Sequence, residues 1–236
     1  MTDKPLANQI ALVTGASRGI GAATARALAA AGAHVILTAR TAKDLEQVET
    51  AIFDAGGSAT IAPLDLTETD SIARLGAAIG ERWEKLDIMV LNAGMLGSLA
   101  PVPAIDAKEL AQVLTLNVSA QAALIAAFDP MLRKSPRARV LGITSSVGRK
   151  PRAFWGLYGA SKAAFETLIA AYGDEMQRIS SIRTAIIDPG ATRTAMRARA
   201  YPGEDPASVK EPEVVADRIV TLIDEDFDTG HFERVD

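Results

Sequence analysis

A doubly wound α/β sheet, parallel in its strands and covered by helices on both faces, is the architecture this sequence predicts over residues 1–236. Three observations lead to it. Short aliphatic runs alternate with alanine-rich stretches of helical length, an alternation that implies parallel strands joined by right-handed crossovers. The first run ends in a cluster of three glycines that opens a helix. No internal repeat or low-complexity linker divides the chain, and 236 residues suffice to bury one core in a single domain.

The elements follow in order. Ile10 to Thr14 is a strand rich in Ile, Leu and Val that ends at Gly15. Ile20 to Ala31 is a helix closed by Gly32, the residue type that turns left-handed most easily. His34 to Thr38 is the second strand. Thr41 with Asp44 resembles an N-cap pairing for a helix to about Ala55, and Gly56 and Gly57 end it. Ala59 to Leu64 is the third strand, after which Thr67 is expected to cap a helix reaching Trp83. Leu86 to Leu91 is nearly unbroken in its apolar character, as in strands buried on both faces. Asp106 opens a long helix toward Leu132. Val140 to Thr144 is the fifth strand, Tyr158 to Arg178 a helix, and Ile182 to Ile187 the sixth strand. Arg197 to Pro212 holds three prolines and mixed charges and reads as a mobile loop, followed by a last helix from Glu213 to Ile223.

Composition narrows the chemistry. Hydrophobic residues make up 48 % and charged residues 23 %, an ordinary globular balance. There are no cysteines, which excludes disulfides, thiolate zinc sites and cysteine nucleophiles, and only His34 and His231 are available as imidazoles, so no metal site is expected. A net charge of −4 argues against a nucleic-acid partner. Met1 to Asn8 is polar, without the apolar core of a signal segment, and runs such as Ala22 to Ala31 are too short to span a bilayer. The expectation is a soluble, cytoplasmic protein with no membrane partner.

The glycine cluster reads Thr14-Gly15-Ala16-Ser17-Arg18-Gly19-Ile20-Gly21. Between a strand and a helix, glycines let the backbone turn tightly and approach a pyrophosphate, whose charge sits on the helix N-terminal amides. The spacing is G-x-x-x-G-x-G and not G-x-G-x-x-G, and a bare glycine turn without ligand is the plainer alternative. About 20 residues on, an acid would bond a free ribose 2′-hydroxyl. Here Thr38-Ala39-Arg40 stands instead, and Arg40, with Arg18 in the loop, can pair with a 2′-phosphate. The expected cofactor of this Rossmann-type fold is therefore NADP(H) in preference to NAD(H), unless Arg40 is an ordinary surface arginine.

Tyr158 and Lys162 lie four residues apart at a helix start, on one face, and Ser145 stands thirteen residues before Tyr158 at the end of a strand. A Tyr–Lys pair at this spacing is common on solvated helices. Its company gives it meaning. Taken in order, Thr14 to Gly21, Asp65-Leu66, Asn92-Ala93-Gly94, Asn117, Ser145, Tyr158, Lys162 and Pro189-Gly190 with Thr192 and Thr194 make the chain resemble the classical short-chain dehydrogenase/reductase family, over roughly Leu6 to Met196.

That resemblance implies a hydride transfer between the nicotinamide and a carbonyl or alcohol substrate, a small molecule. A free tyrosine has a pKa near ~10. Lys162 with an oxidised nicotinamide would lower it, and in reduction Tyr158 would protonate the carbonyl oxygen that Ser145 holds by a hydrogen bond. Ser146 is the alternative to Ser145. The resemblance gives Lys162 the nicotinamide ribose, Asn117 a water in a proton relay, Asp65 the adenine, Asn92 and Gly94 the cofactor channel, and Thr194 the carboxamide. For Asp65 a helix cap, and for Asn92 a turn, are the alternatives. It further implies a homodimer or homotetramer built on the helices at Asp106–Leu132 and Tyr158–Arg178, with Phe165, Leu168 and Ile169 at the partner or in the core. Thr229 to Phe232 resembles the approach to a final strand, but the chain stops at Asp236 without the usual glycine pair, which puts the tetramer in doubt.

The substrate is less legible. Phe154, Trp155 and Leu157 are expected to wall it, and Arg197 to Pro212 to form its lid. Arg149, Lys150, Arg152, Arg193, Arg197 and Arg199 either rim the site for an anionic acyl thioester or are solvated surface charge. Ketone or 3-oxoacyl reduction is the leading activity and alcohol oxidation the second. A dinucleotide sensor without catalysis is the alternative from another class, and such a protein has no chemical need for serine, tyrosine and lysine together.

Overall fold

The computed structural model describes residues 4–68 and 70–236; the polar start at Met1–Asp3, and Thr69 within the third predicted helix, lie outside them. Among the described residues the strands are β1 (Ile10–Thr14), β2 (His34–Thr38), β3 (Ser58–Ile61), β4 (Ile88–Leu91), β5 (Arg139–Ile143), β6 (Arg183–Asp188) and β7 (His231–Arg234). All pair in parallel, in the order β3-β2-β1-β4-β5-β6-β7. The strand order reverses between β1 and β4, and a crevice opens at the carboxyl ends of the strands there.

The helices are α1 (Gly19–Ala30), α2 (Ala42–Asp54), α3 (Ser71–Arg82), α4 (Ala107–Leu114), α5 (Ala120–Leu132), α6 (Ser146–Arg149), α7 (Gly156–Met176), α8 (Ala195–Ala200) and α9 (Pro212–Asp224). Alternation along the strands builds two cores. Ala11 and Val13 of β1 pack with Leu28 of α1, Leu45 of α2 and Ile219 of α9. Leu12, between them, belongs to the opposite layer with Leu75 of α3, Leu124 of α5 and Ile169 of α7. Burial on both faces is why the strands read as apolar runs. Phe165 and Ile169 are core residues, so of the three apolar positions considered for a partner surface Leu168 alone is half-exposed.

Several boundaries differ from the sequence reading. β3 is regular only to Ile61, but its backbone bonding to the β2 side continues as far as the sequence reading had it: Ala62 N–H donates to Leu37 O at 2.8 Å and Leu64 N–H to Ala39 O at 2.9 Å. Thr67 does not cap α3: its N–H and hydroxyl both donate to Asp65 Oδ1, at 2.9 and 2.7 Å, closing a tight turn before the helix begins at Ser71. Thr41 precedes α2 without a side-chain cap bond, while Asp106 does cap α4, accepting from Glu109 N–H at 2.8 Å. The long helix after Asp106 is interrupted by a π-helical segment at Thr115–Ser119. The whole stretch Ala107–Leu132 is long and apolar enough by composition to cross a bilayer, with mean hydropathy 1.5, which the sequence reading overlooked. Its residues Val113, Leu124, Phe128 and Leu132 pack inside the protein. β7 completes the sheet beside β6, where the sequence reading reached only the approach to a strand.

Candidate active site

The glycine turn lies at the crevice, and its backbone explains its composition. Gly15 and Gly19 have φ of 65° and 55°, the left-handed region that favours glycine. A side chain at Gly21 would collide with Gly15 O and Asn92 Nδ2. Arg18 precedes α1 without a side-chain cap bond, and the first turn of the helix carries no acid. Its orphan N–H groups and positive dipole end are therefore open to an anion, the donor set a dinucleotide pyrophosphate requires. Ser17 and Ile20 are half-buried at this turn and Arg18 is exposed. Asn92 holds the loop itself. Its Nδ2 donates to Thr14 O at 2.9 Å and Gly15 O at 3.3 Å, while the N–H groups of Asn92 and Ala93 both donate to Thr14 Oγ1 at 3.0 Å. The end of β4 thus locks the loop that follows β1.

Arg40 is exposed beyond β2. Its charge acts on Asp65, whose carboxyl is held below the usual range first by the Thr67 hydrogen bonds and also by Arg40. Asp65 is a turn residue and not the helix cap that was its alternative, and Leu66 beside it is buried. Thr194 reaches the glycine loop from the other side of the crevice: its methyl would lie 3.3 Å from a side chain at Gly19. Its hydroxyl accepts from Arg197 N–H at 3.1 Å, starting α8. Gly190 turns left-handed at φ 61°, and Thr192 Oγ1 donates to Pro189 O at 2.8 Å.

Tyr158 and Lys162 both lie near the start of α7, buried, with the lysine Nζ 5.7 Å from the tyrosine ring centroid. Lys162 is 4 % exposed and donates to Ile143 O at 2.8 Å. Burial lowers its pKa to about 8, against the opposing pull of Glu166. In the protein alone burial, and then the negative charge of Asp188, push the Tyr158 phenol up; the expected lowering calls for an oxidised nicotinamide as well as Lys162. The protein alone therefore holds this tyrosine protonated. Ser145 follows β5 in extended backbone, half-buried, at the N-terminal boundary of α6 and without a cap bond, so its hydroxyl is not spent on the helix. Asn117 lies in the π-helical segment, buried; its Oδ1 accepts from Met95 N–H at 2.8 Å and its Nδ2 donates to Met95 O and Ser161 Oγ, each at 2.9 Å. It ties the segment after β4 to α7. Gly94 sits between, since a side chain there would meet both Asn117 Oδ1 and Lys162 Nζ.

The segment read as a mobile loop carries several contacts to its surroundings. Thr192 and Lys210 form a parallel bridge, Arg193 pairs with Glu211, and Arg197 grips Glu204 through two bonds of 2.6 and 2.5 Å. Arg199 donates to Gly97 O at 2.5 Å and Arg152 to Tyr201 Oη at 2.6 Å. Trp155 packs 5.7 Å from Tyr201, and with Ala200 and Leu99 it covers the cluster of Leu96, Val147 and Tyr158. Leu157 is buried, but Phe154 is 58 % exposed at φ 70° and does not join that wall. Of the six basic positions, Arg149, Arg193 and Arg197 are each paired with a carboxylate.

Three contributors were missed. Glu166, buried one turn beyond Lys162, accepts from Thr144 Oγ1 at 2.5 Å and Arg149 Nε at 2.6 Å, so it fixes the turn that carries Ser145. Gln121 Nε2 donates to Leu116 O at 2.9 Å and Ala93 O at 3.1 Å, occupying a carbonyl beside the π-helical interruption. Asp188 is buried below Tyr158 and accepts from Gly190 N–H at 3.0 Å. A glutamate at helical spacing from a lysine was the one available signal.

Comparison with known proteins agrees with this geometry. The sequence pattern of the short chain dehydrogenase family matches residues 9–205. The chain is 38 % identical over 224 residues to the oxidoreductase YciK of Escherichia coli, covering 94 % of this chain and 88 % of that protein. A short chain dehydrogenase from Pseudomonas syringae superposes with a TM-score of 0.96 at 38 % identity, over 99 % of this chain and 97 % of that one. Another from Shigella flexneri, complexed with NADP, superposes with a TM-score of 0.95 at 36 % identity, over 99 % of each.

Proposed function

The chain belongs to the short-chain dehydrogenase family, and from that membership we propose that it is an NADP(H)-dependent reductase of a ketone or 3-oxoacyl group. The observation that carries this reading is a buried tyrosine, held protonated, beside a buried lysine whose Nζ lies next to Gly94, in a chain whose glycine-loop helix is uncapped. Binding of NADP by the Shigella flexneri relative supports the choice of nucleotide, and so do the exposed Arg18 and Arg40 where an acid would repel a 2′-phosphate.

Gly15, Ser17, Gly19, Ile20 and Gly21 would hold the pyrophosphate, Arg18 and Arg40 the 2′-phosphate, and Asp65 and Leu66 the adenine. Asn92, Ala93, Gly94, Pro189, Gly190, Thr192 and Thr194 would line the nicotinamide half. The bound nicotinamide supplies or accepts the hydride. Ser145 orients the substrate oxygen, and Tyr158 delivers its proton to that oxygen. Lys162 would hold the nicotinamide ribose, and its ammonium would favour the phenolate that remains after the proton is delivered. Asn117 and Glu166 act as positioning residues, through α7 and through the serine turn.

The segment 197–212 would serve as the substrate lid, its Ala200 packing with Trp155 against Leu96, Val147 and Tyr158. Half-exposed apolar residues on Ala107–Leu132 and α7, Leu168 among them, support a homodimer or homotetramer. The test is loss of reduced nicotinamide absorbance with NADPH and NADH against 3-oxoacyl thioesters, keto sugars, steroid ketones, aryl ketones and quinones. NADPH-selective turnover of one class is the expected outcome. Saturable NADPH binding with no turnover of any of them would favour the sensor reading.

A further inference from the structure

At the opposite edge of the sheet, where the strands begin, three guanidinium groups meet around an open cavity of about 400 Å³ lined by Pro136, Arg137, Arg139, Ser181, Arg183 and Asp226. Strand register dictates the meeting. Arg139 opens β5 directly beside Arg183, which opens β6, so the two side chains lie on the same face of neighbouring parallel strands. Like charges in that position repel. Arg137 is drawn to the same corner by the end of α9, where its Nη2 donates to Asp224 O at 2.5 Å and Glu225 O at 3.1 Å.

Arg139 is poorly compensated for a buried charge. Its side chain is 4 % exposed, and its Nε is buried with no hydrogen-bond partner among the described residues. Nη1 donates to Ala138 O at 3.1 Å, and the carboxylate paired with Nη2 is Asp226, at 3.5 Å and 93 % exposed. Phe227 covers one face of the guanidinium at 5.2 Å. Burial, then the charge of Arg137, lowers the pKa of Arg139 to about 10. A buried charge is retained when it is paired and hydrogen-bonded, and here most of the pairing is missing.

We propose that this cavity binds a tetrahedral oxyanion, either inorganic phosphate or the phosphomonoester group of a larger ligand, through Arg137, Arg139 and Arg183. Guanidinium forks match phosphate oxygens two by two, and a dianion offers the charge that the exposed Asp226 supplies only weakly. The site is separate from the glycine loop, which lies at the other end of the strands.

Calorimetric titration of inorganic phosphate into the full chain, at constant ionic strength with chloride as control, tests the assignment. Saturable binding is expected, weakened about tenfold or more by Arg183→Gln and unchanged by Arg74→Gln, an exposed α3 arginine outside both sites, as fits loss of one charge-assisted pair at the right place. Arg139→Gln should abolish it; should that variant not fold, the half-exposed Arg183 still decides the matter. An alkyl phosphomonoester that binds more tightly than phosphate assigns a larger ligand, and one that binds more weakly assigns the free anion. Absence of saturable binding, or binding that survives Arg183→Gln and disappears with Arg40→Gln, overturns the proposal.

Discussion

At the N-terminal edge of the sheet Asp87 is 3 % exposed, and its carboxylate accepts from Ile10 N–H at 3.0 Å, Lys85 Nζ at 2.7 Å and Ser135 Oγ at 2.6 Å. At the C-terminal edge Lys162 is buried to the same degree, yet its Nζ donates to one backbone carbonyl and its charged form is disfavoured. An ammonium has three donors, and a carboxylate with three partners is close to satisfied. The difference separates a charge that holds the fold from one kept short of partners. Asp87 joins β1, the start of β4 and the turn before β5. Lys162 keeps donor capacity for a ligand, at a cost in stability. Arg139 sits at the structural edge but has the under-partnered character of the other one.

Removing the tyrosine hydroxyl is the strongest way to break this contrast. Tyr158→Phe should lower turnover by roughly 10²–10⁴-fold, the range for loss of a positioned general acid. Nucleotide affinity, read by fluorescence titration, should stay within about twofold, because the ring and Lys162 remain. A turnover loss smaller than about tenfold would remove Tyr158 from the chemistry.

How far the two edges could be read in the sequence differs for a physical reason. The glycine loop, Tyr158 and Lys162 were legible because residue type and spacing along one element determine their geometry. The clamp of Asn92 on the loop carbonyls was only half legible, since it depends on β4 lying beside β1. Arg137, Arg139 and Arg183 were invisible as a group: Arg139 and Arg183 meet through the register of β5 against β6, at 44 residues' separation, which no local pattern encodes. The contacts of 197–212 were not legible because prolines and mixed charges look irregular in sequence, while Arg197 to Glu204 and Arg199 to Gly97 are set by the tertiary structure. The π-helical interruption at Asn117 shows no helix-breaking residue, and its register change is absorbed by Gln121.

The pH dependence of stability sharpens the contrast further. A lysine whose pKa falls from 10.5 to about 8 on folding binds fewer protons in the native than in the unfolded state between those values. Stability of the unliganded protein therefore rises with pH through that window, and the penalty is fully present below it. Lys162→Met removes the titration. Relative to the variant, the wild type should gain up to about 3 kcal/mol between pH 8 and pH 10.5, measured by denaturant unfolding. Parallel stability curves across the window would show that Lys162 carries no such penalty.

The smallest expected effect lies at the structural edge and concerns Ser135. Its hydroxyl donates to Asp87 and accepts from Arg137 N–H at 3.2 Å, in a position that is almost fully buried. Ser135→Ala leaves the Asp87 carboxylate its bonds from Ile10 and Lys85 but deprives it of the short one, and water cannot easily replace it there. A hydrogen bond to a charged group is worth about 1.5–3 kcal/mol, and the small volume change adds little, so a loss of about 1–2 kcal/mol is expected in denaturant unfolding. Turnover and nucleotide affinity should not change, because Ser135 lies at the far end of β5 from Ser145 and Lys162. If turnover fell while stability held, the two edges would be coupled, and the division between structural and functional charge would fail.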